Sequence, residues 1–194
     1  MNVEFLGDAL DHWKGSLFRS LRRGDLLLDL AVEPMFSDAG FWKASAVRAY
    51  ARLLGVPAER IVRHRRGLGD RDAYFEEIHH SRDLFLDPDT GVAVGARCDR
   101  KHVAPGEVAR LLMAERHRVV AVYQHSGREE WPSRIRRVVR RVARKVDRPL
   151  VWSSYQSAAA AMLFFAVGTR RPLAIQAHFA RELGAQARHR LCGS

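Results

Sequence analysis

Short apolar runs, each closed by turn-forming or polar residues and separated by stretches with helical periodicity, constrain this chain more than any other feature. Residues 26–32 (LLLDLAV), 83–86 (DLFL), 119–123 (VVAVY) and 150–155 (LVWSSY) read as strands, and 60–64 (RIVRH) fits another. Between them lie segments with helix character. Residues 5–21 put Leu6, Leu10, Trp13, Leu17 and Leu21 on one stripe, and 41–54, 72–79, 105–116, 133–146 and 172–183 follow. Glu33-Pro34 and Asp87-Pro88 each close a strand, because proline cannot donate to a central ladder. Crossovers of this size force parallel pairing and right-handed connections, with helices on both faces. The expected fold is one α/β domain over residues 1–194, Rossmann-like, with a mostly parallel sheet flanked by helices. Residues 161–167 are either a partner strand or a buried helix. The gap at 156–160 is too short for a parallel crossover, so a strand there makes a C-terminal antiparallel hairpin.

Composition narrows the class. A chain of 194 residues that is 47% hydrophobic fits a packed core and not a disordered segment. Its first residues carry acids and no apolar run, so no signal peptide is expected. The longest apolar stretch, 158–167, is too short for a bilayer, and no membrane partner is expected. Cys98 and Cys192 stand far apart without metal-ligand spacing, as in a reduced cytoplasmic protein. The net charge is +11, from 33 Lys+Arg against 22 Asp+Glu. That balance favours a polyanion such as nucleic acid through counterion release. Arginine-rich codon usage produces the same balance with no ligand at all.

In open parallel sheets ligands bind beyond the carboxyl ends of the strands. Glu33 follows the first run, Asp87-Pro88-Asp89-Thr90-Gly91 the run at 83–86, and Gln124-His125-Ser126-Gly127-Arg128 the run at 119–123. The run at 150–155 ends in Ser153-Ser154-Tyr155-Gln156. Asp87 and Asp89, two residues apart, can both reach one hard cation such as Mg²⁺ or Mn²⁺, with Glu33 as a third oxygen donor. Such a site activates water and steadies a phosphoryl transition state. The same five residues also make a good turn on backbone grounds alone. His125 is the side chain suited to exchange protons near neutral pH beside Asp87, or else a structural histidine. Arg128 suits an anionic substrate, or else is simply solvated. Asp8, Asp11, His12 and Lys14 cluster near Trp13 and fit the solvated face of an amphipathic helix.

The stretch SRIRRVVRRVARKVDR is amphipathic in a different way. Ile135, Val138, Val139, Val142 and Val146 share one face, while Arg136, Arg137, Arg140, Arg141, Arg144 and Lys145 occupy the rest. Over about 20 Å of helix this is a dense positive stripe. It suits either a nucleic-acid backbone, with Arg137, Arg140, Arg141 and Arg144 as contacts, or plain solvation.

The ordering of elements, with a terminal strand hairpin and Asp87-Pro88 after a middle strand, resembles the Rossmann-like class I methyltransferases. Asp87-Pro88 is similar to the pair that opens the catalytic motif of adenine amino-methyltransferases. The resemblance implies S-adenosylmethionine as cofactor, but that family has a glycine-rich turn after its first strand, where this chain has Glu33-Pro34-Met35. Its motif continues Pro-aromatic, where this chain has Asp89-Thr90. Glu33 with Asp87 and Asp89 also resembles the acid pattern by which TOPRIM domains hold Mg²⁺. ALDHWKG, LAVEPM, FLDPDTGV and VVAVYQHSGR together resemble a family of bacterial proteins, which implies no activity. The leading expectation is therefore metal-assisted hydrolysis of nucleic acid or another phosphate-bearing substrate; the alternatives are a degenerate methyltransferase-like domain and a non-catalytic basic module binding nucleic acid or an acidic protein.

Overall fold

The computed structural model describes residues 3–35, 43–62, 70–76, 78, 82–95, 98–125, 130–182 and 191–193. In chain order these form α1 (Ala9–Arg23), β1 (Leu30–Glu33), α2 (Ala44–Leu54), α3 (Arg71–Glu76), β2 (Asp83–Leu86), β3 (Gly91–Val92) and β4 (His102–Val103). There follow α4 (Pro105–Ala114), β5 (Val119–His125), α5 (Trp131–Ala143), β6 (Leu150–Gln156), β7 (Ala160–Val167), α6 (Arg171–Glu182) and β8 (Leu191–Gly193).

Local chemistry sets most boundaries. Asp8 caps α1 by accepting from the backbone N–H groups of Leu10 and Asp11, both at 2.9 Å. Gly55 ends α2 in the left-handed region at φ 69°. Pro105 opens α4, where Glu107 reaches back 2.6 Å to the Ala104 N–H. The first strand starts later than its apolar run. Asp29 takes a positive φ of 50°, and the Leu28 N–H is held by the Asp83 carboxylate at 2.6 Å, so residues 26–29 leave the ladder. Of 60–64, Ile61 makes one parallel bridge to Val32, and Arg63 and His64 lie outside the described residues.

The main sheet has the order β1-β2-β5-β7-β6-β8. β1, β2 and β5 pair in parallel, whereas β7 runs antiparallel to both β5 and β6, and β8 antiparallel to β6. The sheet is thus mixed: the hairpin folds back, so β7 takes the place next to β5 and runs against it, while β6 runs in the direction of β1, β2 and β5. The hairpin itself is as expected, and 161–167 is strand. The small parallel pair β3–β4 and the edge strand β8 have no counterpart in the sequence expectations.

Helices cover both faces. Leu17, Phe18 and Leu21 of α1, Val47, Tyr50 and Leu54 of α2, and Ile175 and Phe179 of α6 pack on one side. Tyr74 and Phe75 of α3, Val108, Leu111 and Leu112 of α4, and Ile135, Val138 and Val142 of α5 pack on the other. Strand alternation divides the sheet between them: Val119, Ala121 and Tyr123 of β5 join the first core, Val120 and Val122 the second. Gly15 lets α1 approach α2, since a Cβ there would overlap the Leu53 carbonyl. From β1 the chain passes through α2 to the Ile61 bridge on one side of β1. It then returns through α3, on the opposite face, to β2 on the other side. That makes the β1/β2 boundary the topological switch point, where open α/β sheets hold their ligands.

Candidate site at the carboxyl edge

Glu33, Asp87 and His125 all stand where parallel strands end, on one edge of the sheet. The Asp87 N–H donates to the Glu33 carbonyl at 2.9 Å, so the two acids are neighbours along the switch point. Their side chains nonetheless point to opposite faces. The parallel register sets Glu33 beside Leu86, one residue short of Asp87, and alternation then turns one carboxylate up and the other down.

Asp87 faces the α1/α2 layer. Its Oδ2 accepts the Lys14 ammonium at 2.8 Å and the Tyr50 hydroxyl. Lys14 also donates to Asp11 Oδ1 at 3.0 Å, and its ammonium sits 4.4 Å above the Tyr123 ring. Asp11 further accepts the Gly7 N–H at 2.9 Å. Asp11 at 1% exposure, Lys14 at 5% and Asp87 at 1% are all buried, so Asp11 and Lys14 do not belong to the solvated face that their polarity suggested, whereas Asp8 and His12 are exposed as expected. Burial pushes the Asp11 carboxyl above its ordinary value against the pull of Lys14. Burial alone would lower Lys14, but Asp87 and Asp11 hold its ammonium above the ordinary lysine value. Burial, and then the Asp87 charge, push the Tyr50 hydroxyl well above the tyrosine range.

Glu33, fully buried, faces the α3 layer. Its Oε1 accepts the Tyr74 hydroxyl and the Met35 N–H, the latter at 3.0 Å. Burial and the Glu33 charge keep Tyr74 protonated far past its usual range.

The loop after Asp87 is clamped to β5. Gln124 accepts the Val92 N–H at 2.9 Å and donates to the Thr90 carbonyl at 3.0 Å, and the His125 N–H reaches the same carbonyl at 3.0 Å. Asp89 and Thr90 are half-buried on this loop, and His125 is exposed beside it, its ring steeply inclined to that of Tyr123 with centroids 6.4 Å apart. Trp13 stacks on Tyr155 at 6.1 Å, which extends the covered rim toward β6.

The proposed oxygen donors Glu33, Asp87 and Asp89 are therefore not brought together as one set, since Glu33 lies behind the sheet from Asp87. Among the described residues no group of three or more His, Cys, Asp or Glu side chains is placed to hold a metal ion. Arg128 lies outside the described residues. On α5, Arg136, Arg137, Arg140 and Arg144 are exposed, while Arg141 is half-buried and donates to the Gly95 carbonyl at 3.0 Å. Lys14, Tyr50, Tyr74 and Gln124 did not emerge from the sequence as site residues. A lysine and an aspartate on the inward stripe of α1, four and one residues after Leu10, were the available signal.

No protein-family model matches the chain, and no curated protein matches it. No helix among the described residues is long and apolar enough to cross a membrane.

Proposed function

We propose that this chain is a Rossmann-like domain of methyltransferase-like architecture that works by binding and not by catalysis, its carboxyl edge turned from a reactive site into a packed one. The observation that carries this is the buried pair of Lys14 and Asp87. The acid that opens the motif of the resembled enzymes is here sealed under an ammonium and a tyrosine hydroxyl. The β6–β7 hairpin and the position of Asp87-Pro88 after β2 support the architectural side.

S-adenosylmethionine does not fit the described residues. A cofactor of that kind needs bare backbone after the first strand, and Glu33, Pro34 and Met35 are buried there, with the Glu33 carboxylate bound to Tyr74. No methyl-transfer step follows from such a site. Thermal melts and calorimetric titration with S-adenosylmethionine should show no saturable effect. A saturable melting shift that Asp87→Asn abolishes would overturn the proposal.

A second reading is metal-assisted hydrolysis of a phosphate-bearing substrate through Asp87, Asp89 and His125 without Glu33, which faces the other side of the sheet; the bond of the His125 N–H to the Thr90 carbonyl, which keeps the Asp89 loop beside His125, supports it. It requires Lys14 to release Asp87 to a divalent ion. Mg²⁺ or Mn²⁺ titrated into wild type and into Asp87→Ala/Asp89→Ala decides between the two. Equal heats remove the hydrolase reading; heat lost only in the variant, together with cleavage of a phosphodiester substrate by wild type and not by the variant, supports it.

A further inference from the structure

We infer that the outer face of α5 is a docking surface for the phosphate backbone of nucleic acid, with Arg136, Arg140 and Arg144 as its principal row. The inward face of this helix is spent: Ile135, Val138 and Val142 are buried in the core. What remains outside is almost wholly cationic. Arg136, Arg140, Arg144 and Lys145 are exposed and, among the described residues, make no ion pair, and α5 contains no acidic residue. Residues four apart on a helix are neighbours, so 136, 140 and 144 form a line with a repeat of about 6 Å. Arg137 and Lys145 stand beside that line. Like charges at this spacing repel and weaken the helix that carries them. The cations of the last turn gain from the helix dipole, but Arg136 and Arg137, in the middle, do not. A regularly spaced polyanion is the partner that relieves the whole row.

The chemistry selects nucleic acid among polyanions. A membrane-surface helix buries large apolar side chains on the face that meets the lipid, and here the apolar face already packs on the sheet. An acidic peptide offers irregular carboxylates, whereas a strand of nucleic acid repeats its charge evenly. The guanidinium fork matches phosphate oxygens. The inference names a partner for the binding reading, yet it stands or falls separately from the state of the Asp87 site.

The test is fluorescence anisotropy with a labelled random-sequence DNA duplex and a labelled single strand, over a salt series. Wild type is compared with Arg136→Glu/Arg140→Glu/Arg144→Glu, and with Arg23→Glu/Arg48→Glu/Arg52→Glu on the opposite face of the sheet, which changes net charge equally. Circular dichroism and melting confirm that both fold, and the milder Arg136→Gln/Arg140→Gln/Arg144→Gln guards against a misfolded triple. Wild type should bind with a steep salt dependence. The α5 triple should lose most of the affinity and flatten the duplex salt slope by about 2.7, three contacts' worth, while the control triple keeps both. Equal losses in the two triples would reduce the effect to net charge and overturn the inference. So would absence of wild-type binding at low salt, or tighter binding to anionic phospholipid vesicles than to the duplex.

Discussion

The Lys14 ammonium lies 2.8 Å from a carboxylate oxygen of Asp87, a residue 73 positions later in the chain, and both side chains are almost entirely withdrawn from water. A single bond between two buried ions thus joins the first helix to the end of a central strand. Asp11 and the Tyr123 ring complete the surroundings of the ammonium, so its charge is answered on three sides.

Removing one partner of such a pair leaves the other as an uncompensated buried charge. Lys14→Met should cost roughly 3–5 kcal/mol in urea denaturation. Lys14→Met/Asp87→Asn should recover part of that loss, because the stranded carboxylate is gone. A double variant no more stable than Lys14→Met would mean that Asp87 is not the group left stranded.

That cluster, together with Tyr74 beside Glu33 on the opposite face of the sheet, predicts sensitivity to alkali. Lys14, Tyr50, Tyr74 and Tyr123 all hold their protons above their ordinary values in the folded protein. Stability from a raised group is present in full below its unfolded value and is lost as pH rises past it. In the window above about pH 10 the unfolded chain releases these protons while the folded one retains them. Each such proton steepens the loss by roughly 1.4 kcal/mol per pH unit. Tyr50→Phe removes one of them, so its stability should start lower at neutral pH but decline less steeply above pH 10. Parallel declines in urea midpoints for the two proteins would contradict this.

What the sequence made legible was local. The apolar runs at 83–86 and 119–123 each specify their strand within two residues. Long-range partners were not legible. Asp29 sits inside an apolar run, and only its positive φ, with Asp83 gripping Leu28 from 55 residues away, shows why the strand starts at Leu30. Grouping Glu33 with Asp87 was right about the edge and silent about the face, because a one-residue difference in register reverses a side chain. Asp11 and Lys14 looked solvated because charge suggests exposure; a partner distant in the chain made their burial tolerable.

At the opposite edge, Asp83 gathers the starts of several elements. Its carboxylate accepts the Leu28 N–H at 2.6 Å, the Val119 N–H at 2.8 Å, and both Arg171 Nη atoms at 2.6 and 2.7 Å. Arg171→Ala leaves the carboxylate buried but still bonded by two backbone donors, and should cost about 1.5–3 kcal/mol. Asp83→Ala leaves the Leu28 and Val119 N–H groups without this acceptor and Arg171 with the His117 carbonyl alone of these acceptors, and should cost more. Denaturant titration of the two variants should show that order, and the reverse order would place the weight on Arg171 and not on the carboxylate.

Gly91 and Gln124 control how the Asp89 loop is presented. Gly91 holds φ at 115°, a conformation side chains rarely adopt, and a Cβ there would overlap the Gln124 amide. Gly91→Ala must therefore strain the backbone and push the amide off Thr90 and Val92, at a cost of about 1–3 kcal/mol. Because the clamp is local, hydrogen exchange should lose protection at the Val92 amide while the Val120 amide, in the central ladder, is unchanged. Gln124→Ala should lose Val92 protection by the simpler route of removing the acceptor. Combining the two substitutions should cost less than their sum, since the space vacated by the amide accommodates the new methyl group. Strict additivity, with Val92 still protected in Gly91→Ala, would show that the loop after Asp87 is held by something other than this glutamine.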